Sequence, residues 1–180
     1  VRIISGQFKA RRFSVPKGFP SRPTTDFAKE GLFNILENQL DLFDLHILDL
    51  CAGTGNISFE FLSREAGSVI AVDQNSRCLR HISLTSKALG ITEGLTIVKE
   101  DILRFVARTT ERFNLIFADP PYVYKHHSDL VHLIYEKNLL EPGGWMIIEH
   151  GRDTKLGDLP HFQFVRSYGN VYFSFFQSAV

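Results

Sequence analysis

A doubly wound α/β layer, a parallel sheet covered by helices on both faces, is the fold class this sequence predicts. Short apolar runs alternate with amphipathic segments from His46 to Glu149, the order of a βαβ series. The runs are continuously apolar, as strands buried on both faces require. The two runs that close the chain lie too near one another for a helical crossover, so they pair antiparallel. Together these give a seven-stranded, mostly parallel sheet whose last strand is antiparallel.

Arg2 to Phe8 and Arg12 to Val15 read as two short strands joined near Lys9 to Arg11, a terminal β-hairpin with basic residues on its face. Pro16, Gly18, Pro20 and Pro23 break regular structure before Thr24, Thr25 and Asp26, all good N-cap types. A helix follows, with Ala28, Leu32, Ile35 and Leu36 on one face. Ile47 to Leu50 is the first strand of the sheet, and a Gly loop leads into a helix near Ile57 to Arg64. Val69 to Val72 is the next strand. Asn75 caps a helix carrying Cys78, Leu79, Ile82 and Leu89 that stops at Gly90. Leu95 to Val98, a short helix from Ile102 to Arg108, and Leu115 to Ala118 continue the series. Ser128 caps a helix through Tyr135, and Pro142-Gly143-Gly144 turns into a strand from Trp145 to Glu149. Phe162 to Ser167 and Val171 to Gln177 form the closing pair. Residues 1–25 make a basic extension, and residues 26–180 a single globular unit.

With 180 residues, 44% hydrophobic and 22% charged, the chain is long enough for one core without disulfides and too apolar for wholesale disorder. No apolar run reaches the roughly 20 residues of a membrane helix, and no signal peptide is visible. The first residue is Val1, which suggests that a few residues have been trimmed. Cys51 and Cys78 form no metal-ligand pattern, and the histidines lack ligand spacing, so no metal is expected. A cytoplasmic monomer is the default. The net charge of zero hides an asymmetry: Arg2, Lys9, Arg11, Arg12, Lys17 and Arg22 precede the first acid, Asp26, so a +6 arm leads a −6 body. Such an arm suits a phosphate backbone, where basic side chains displace condensed counterions.

Asp49-Leu50-Cys51-Ala52-Gly53-Thr54-Gly55 ends the first sheet strand and opens a helix. The glycines let the backbone approach a ligand. Asp73 ends the second strand, 20 residues after Gly53, where a carboxylate accepts both hydroxyls of a ribose, with Gln74 beside it. Ser58 replaces the third glycine of the dinucleotide fingerprint. Asp49 at the loop entrance repels a pyrophosphate but welcomes the ammonium and sulfonium of S-adenosylmethionine. Asp101 is placed for the adenine amino group and Ile102 for the ring. A dehydrogenase using NAD is disfavoured by Asp49 and by the lack of hydride-transfer residues.

Asp119-Pro120-Pro121-Tyr122 follows the next strand. The prolines fix φ and remove two backbone donors. Asp119 and the Pro120 carbonyl then accept from both N–H groups of a planar amine, turning its lone pair toward a methyl donor, while Tyr122 stacks on the base for about 1–3 kcal/mol. His126-His127 reads as a solvated loop pair, Cys51 as a small buried residue, and Trp145 and the phenylalanines as core.

LDLCAGTGNISFE, VIAVDQN, EDI and IFADPPY resemble, in order, the motifs of class I S-adenosylmethionine-dependent methyltransferases with a Rossmann-like fold. RIISGQFKARRF and RPTTDFAKEGLFNIL, with DPPY, resemble more specifically the RsmD family, which methylates N2 of one guanine of bacterial 16S rRNA. The resemblance implies that Asp49, Cys51, Ala52, Gly53, Thr54, Gly55, Asp73, Gln74, Asp101 and Ile102 hold the cofactor. It implies that Asp119, Pro120 and Tyr122 hold the guanine, and that Arg2, Lys9, Arg11, Arg12 and Arg22 follow the RNA. The implied partner is 16S rRNA within the small ribosomal subunit or an assembly intermediate, with the target base unpaired or flipped. Relatives often carry a second arginine after the RPTTD aspartate, where this chain has Phe27, Ala28 and Lys29. Rival readings are methylation of adenine N6 in DNA or of a protein amide, and a nonenzymatic RNA-binding assembly factor. The first two lack room for their usual recognition domains; a cofactor titration separates the third.

Overall fold

The computed structural model describes residues 1–180. Its elements run α1 (Asp26–Gln39), β1 (His46–Leu50), α2 (Asn56–Ser63), β2 (Ser68–Asp73), α3 (Ser76–Leu89), β3 (Leu95–Lys99), α4 (Ile102–Arg108), β4 (Phe113–Ala118), α5 (His127–Glu136), β5 (Leu140–His150), β6 (Phe162–Tyr168) and β7 (Val171–Gln177). One seven-stranded sheet has the order β3-β2-β1-β4-β5-β7-β6. β1 to β5 pair in parallel, and β7 is antiparallel to both β5 and β6. The strand order reverses at β1 and β4, whose carboxyl ends form the crevice where open α/β sheets bind ligands.

Successive side chains of each strand enter opposite cores. Ile47, Leu115, Phe117, Phe173 and Phe175 pack with α1, α2 and Ile82 of α3, whereas Leu48, Ile116, Met146 and Phe176 pack with α4 and α5. That double burial is why the central strands are nearly continuous apolar runs, whereas the edge strands β3 and β6 carry exposed polar residues. Helix signals work locally as well: the Thr25 hydroxyl accepts from Ala28 N–H, the Asn75 side chain accepts from Arg77 N–H, and Gly90 closes α3 at φ +73°.

The basic arm is a shorter hairpin than expected. Antiparallel pairing over Arg2 to Phe8 and Arg12 to Val15 is confined to its base, where Arg2 bridges Arg12, Ile3 N–H donates to the Arg11 carbonyl, Ala10 N–H to the Ile3 carbonyl and Phe13 N–H to the Val1 carbonyl. The amide groups from Ile4 to Phe8 pair with α2. Ile4 and Ser5 N–H donate to the Glu60 carboxylate at 2.9 and 3.1 Å, Gln7 N–H to the Ser63 carbonyl, and Phe8 N–H to Ser63 Oγ. Gly6 approaches so closely that a Cβ there would lie 1.8 Å from the Ser63 carbonyl oxygen. Beneath the arm, Lys29 is fully buried and donates to the Arg2 carbonyl (2.6 Å), to Asn56 Oδ1 (2.7 Å) and to Glu60 (3.2 Å). Glu60 also accepts from Arg64 Nε at 2.9 Å. Ile3, also buried, joins the core on this face, so the arm is built into the globular unit.

Two further expectations shift. Ser128 lies inside α5 and turns its hydroxyl to His132, while the cap position falls to His126, whose ring pairs with Asp129 at 3.0 Å. β5 begins at Leu140, with a register irregularity between Phe113 and Leu115 that accommodates Pro142-Gly143-Gly144. No helix is long and apolar enough to cross a membrane.

Candidate active site

Four acids converge around Cys51, just past the end of β1. Asp49, Asp73, Asp101 and Asp119 all lie near enough to act on its thiol, and with burial they push the thiol well above its ordinary range. Cys51 takes φ +61°, a left-handed conformation rarely adopted outside glycine. Burial, the largest cause, and these charges make the thiol a poor nucleophile. Cys51 is half-buried, somewhat more open than expected.

Asp49 is 1% exposed and accepts from Ser58, through Oγ at 2.6 Å and through the backbone N–H; it takes part in no ion pair. Burial pushes its carboxyl up to about 7, the Ser58 bond pulls it down and Asp73 pushes it further up. A sequestered carboxyl without a countercharge fits a ligand bringing a cation. Ser58, read from the sequence only as a missing glycine, orients this acid. Gly53 and Gly55 take φ +57° and +81°, and a Cβ on Gly53 would meet Ser21 Oγ at 2.4 Å. The segment before α1 thus lies directly over the loop. Gly53 N–H donates to Asp73 Oδ2 at 3.0 Å, and Asn75 N–H to its Oδ1 at 2.9 Å, which fixes the second acid at the end of β2. Ala52 and Thr54 are buried in the loop and Gln74 is exposed beyond it. Asp101 caps α4 by accepting from Arg104 N–H at 3.1 Å, with Ile102 buried behind it. The acids, the close backbone and the loop fit the amino acid and ribose ends of S-adenosylmethionine.

Asp119 leaves β4 with its N–H on the Leu50 carbonyl, 3.1 Å away. It lines two cavities. One, of about 20 Å³, includes Arg22, Thr24, Asp49, Cys51 and Ala52; the other, of about 80 Å³, includes Pro120, Tyr122, His127 and Glu149. Asp119 therefore stands between the cofactor loop and a second compartment. Tyr122 rests an edge against Gly151 and is otherwise 82% exposed, a free aromatic face at the mouth. Larger hollows beside Glu37 to Leu42, about 500 Å³, and under the arm's turn, about 440 Å³, gather no such set of groups.

Glu149 is the functional side chain the sequence reading passed over as a strand end. Its carboxyl hydrogen-bonds that of Asp119 and accepts from Thr24 Oγ1 at 2.8 Å. Burial, and then the facing carboxylate, drive Asp119 well above the usual carboxylate range, while burial raises Glu149. Raised together by burial, the two facing carboxyls favour sharing a proton over both being ionised. A polar chain continues outward: Asn56 Nδ2 donates to the Thr24 carbonyl and Asn56 Oδ1 accepts from Lys29. The sequence marks it only as an acid closing an apolar run, one residue before β5 ends at His150. His127 also differs from the expected solvated pair. It is buried against Tyr124 and lines the second compartment, and only His126 is exposed.

The basic residues divide. Arg22 stands exposed at the site. Arg2 pairs with Asp26 at 3.0 Å, and Arg11 donates to the Ala88 carbonyl at the end of α3. Lys9 is exposed in the arm's turn, whose backbone pairs with the end of α2, and Arg12 is exposed where the arm returns. No group of three or more His, Cys, Asp or Glu side chains is arranged to hold a metal ion.

Comparison with known proteins follows the same lines. A family model described as conserved hypothetical protein 95 matches residues 1–177. YlbH of Bacillus subtilis, a candidate rRNA methyltransferase, is 34% identical over 88% of this chain and 89% of its own length. Ribosomal RNA small subunit methyltransferase D of Escherichia coli is 31% identical over 83% of this chain and 71% of its own. Among solved structures, a candidate methyltransferase YhhF from Escherichia coli superposes with a TM-score of 0.87 at 23% identity, covering 100% of this chain and 98% of that one. RsmC of Thermus thermophilus, a 16S rRNA N2 guanine methyltransferase solved with AdoMet and guanosine, shares the fold at a TM-score of 0.73 and 19% identity, over 89% of this chain and 45% of that one.

Proposed function

The chain belongs to the family of conserved hypothetical protein 95, the RsmD family of ribosomal RNA methyltransferases, and from that premise we propose that it methylates the exocyclic N2 of a guanine in 16S rRNA. The observation that carries the reading is the position of Asp119, shared between the loop that fits S-adenosylmethionine and the compartment beneath Tyr122.

When bound, S-adenosylmethionine supplies a methyl group on a sulfonium. The protein's share is placement. Asp49, buried and lacking a countercharge, receives the amino acid ammonium; Asp73 is set for the ribose, and Asp101 with Ile102 for the adenine. Cys51, Ala52, Gly53, Thr54, Gly55 and Gln74 complete this cradle. Asp119 and the Pro120 carbonyl accept from the two N–H groups of the amine, so that its lone pair turns out of the base plane toward the methyl group. Tyr122 stacks on the base. An amine that has gained a methyl group sheds its proton readily, so alignment and fixed charge supply most of the rate, with alignment worth up to about 7–11 kcal/mol. The Asp119 and Glu149 carboxyls are suited to receive that proton.

For RNA, Arg22 at the rim is the leading contact, with Arg12 and Lys9 farther along the arm engaging a substrate as extended as a ribosomal subunit. Arg2 and Arg11 contribute charge from side chains already held by Asp26 and Ala88. We read the protein as a cytoplasmic monomer that uses no metal and acts on the small subunit or an assembly intermediate. Transfer of labelled methyl to small subunits lacking the modification, to naked 16S rRNA and to duplex DNA tests this, with nucleosides identified by mass spectrometry. Label as N2-methylguanine, lost in Asp119→Ala, is the expected result. Label in DNA adenine refutes it.

A further inference from the structure

We propose that Glu149 is the specificity-determining residue that selects guanine, accepting the N1–H of the base while Asp119 accepts from its 2-amino group. The inference deepens the methyl transfer proposed above and rests on it.

Three features of the fold lead there. The register pairs Ala118 with Ile148, so Asp119 and Glu149 leave adjacent parallel strands side by side and enter one cavity. Glu149 is oriented: Thr24 Oγ1 holds Oε2 at 2.8 Å, and Thr24 is itself held through its carbonyl by Asn56. In the free protein the carboxyl also meets that of Asp119, a partner that a ligand donor can replace. Neither acid takes part in an ion pair with any Lys, Arg or His of the chain.

Two adjacent acceptors without a cation call for a ligand edge with two adjacent donors. On its Watson–Crick edge guanine presents N1–H next to its 2-amino group. Adenine and cytosine each place a ring nitrogen lone pair next to the amino group, which would face the Glu149 carboxylate and be repelled. The arrangement therefore accepts guanine and rejects the other amino bases by an unpaired acceptor, a discrimination that apolar packing does not supply. In the free protein the shared proton lessens the repulsion between the two carboxyls, and the N–H donors of guanine take its place.

The test replaces the target guanine with 2-aminopurine in rebuilt small subunits. This base keeps the 2-amino group and presents a lone pair at N1. The wild-type protein is expected to favour guanine over 2-aminopurine by about 10- to 150-fold in kcat/KM, the range of one hydrogen bond to a charged group. Glu149→Gln, whose amide can donate to a lone pair, is expected to bring that ratio to within a few fold of one. Thr24→Val, which frees the carboxylate without removing it, is expected to reduce it partway. Affinity for S-adenosylhomocysteine confirms that each variant is folded. An unchanged ratio in both variants, whatever the loss of rate, overturns the proposal and leaves Glu149 a residue that positions Asp119. Failure of the wild-type protein to methylate guanine at all overturns the methyl transfer itself, a separate result that needs no variant.

Discussion

Binding of S-adenosylhomocysteine is expected to weaken as pH falls through 7, and Asp49 is the reason. The carboxyl is 1% exposed, accepts from Ser58 alone, and is raised to about 7 chiefly by burial. The ligand's ammonium requires the ionised form. If only that form binds, the apparent Kd is multiplied by 1 + 10^(7 − pH), which is about 11 at pH 6, about 2 at pH 7 and about 1 at pH 8. Binding at pH 6 should then release close to one proton. Calorimetry in buffers of different ionisation enthalpy measures both quantities. Asp49→Asn should flatten the dependence and weaken binding at pH 8 by about 10- to 150-fold, the worth of a hydrogen bond to a charged group. The same shift has a sign for stability. The folded protein holds a proton on Asp49 that the unfolded chain has released between about pH 4 and pH 7, so this residue costs stability as pH rises through that window. Asp49→Asn should therefore melt higher than the wild type at pH 8 without ligand, and the two should converge near pH 4. Equal Kd values at pH 6 and pH 8 in the wild type, with no proton release, would refute the assignment of Asp49 to the ammonium.

Other perturbations separate grip from chemistry. Tyr122→Ala removes an exposed aromatic face and should cost about 5- to 150-fold, seen mainly in KM for the RNA substrate in steady-state kinetics. Arg22→Ala should weaken RNA binding and reduce the slope of log K against log salt by about 1, measured by filter binding over a salt series. Lys29→Met leaves Glu60 without its ammonium and two acceptors without a donor. A loss of about 3–5 kcal/mol is expected, with thermal melting lowered by about 6–20 °C and faster tryptic cleavage at Arg11 and Arg12.

The sheet was legible because its strands are buried on both faces, so runs such as Val69 to Val72 announce themselves without competition from helix periodicity. The loop acids were legible because Asp49, Asp73, Asp101 and Asp119 each end or follow such a run. Glu149 was less visible for a physical reason: its role depends on register with β4, and one strand's sequence does not reveal what stands beside its end. The arm was legible at its base, where Val1 to Ile3 pair with Arg11 to Phe13, and not beyond it. From Ile4 onward the deciding partners, Glu60 and Ser63, lie more than fifty positions away and capture the amide groups that a longer hairpin would have paired. The burial of Lys29 is illegible for the same reason. A lysine at the start of a helix reads as solvated until the three oxygens that surround it are known.

The chain of hydrogen bonds from Lys29 through Asn56 and Thr24 to Glu149 constrains how this protein can be dissected. Shortening the arm is the obvious way to ask what it contributes to substrate capture. Removing residues 1–8 also takes away the Arg2 carbonyl and the two amide donors that balance Glu60, so the buried lysine loses its setting and Thr24 its support. An assay on such a truncation would record a misaligned acid pair as though it were lost affinity. Charge reversal at Lys9 or Arg12, whose side chains touch nothing in that chain, changes the arm's appeal to RNA while leaving the catalytic end undisturbed.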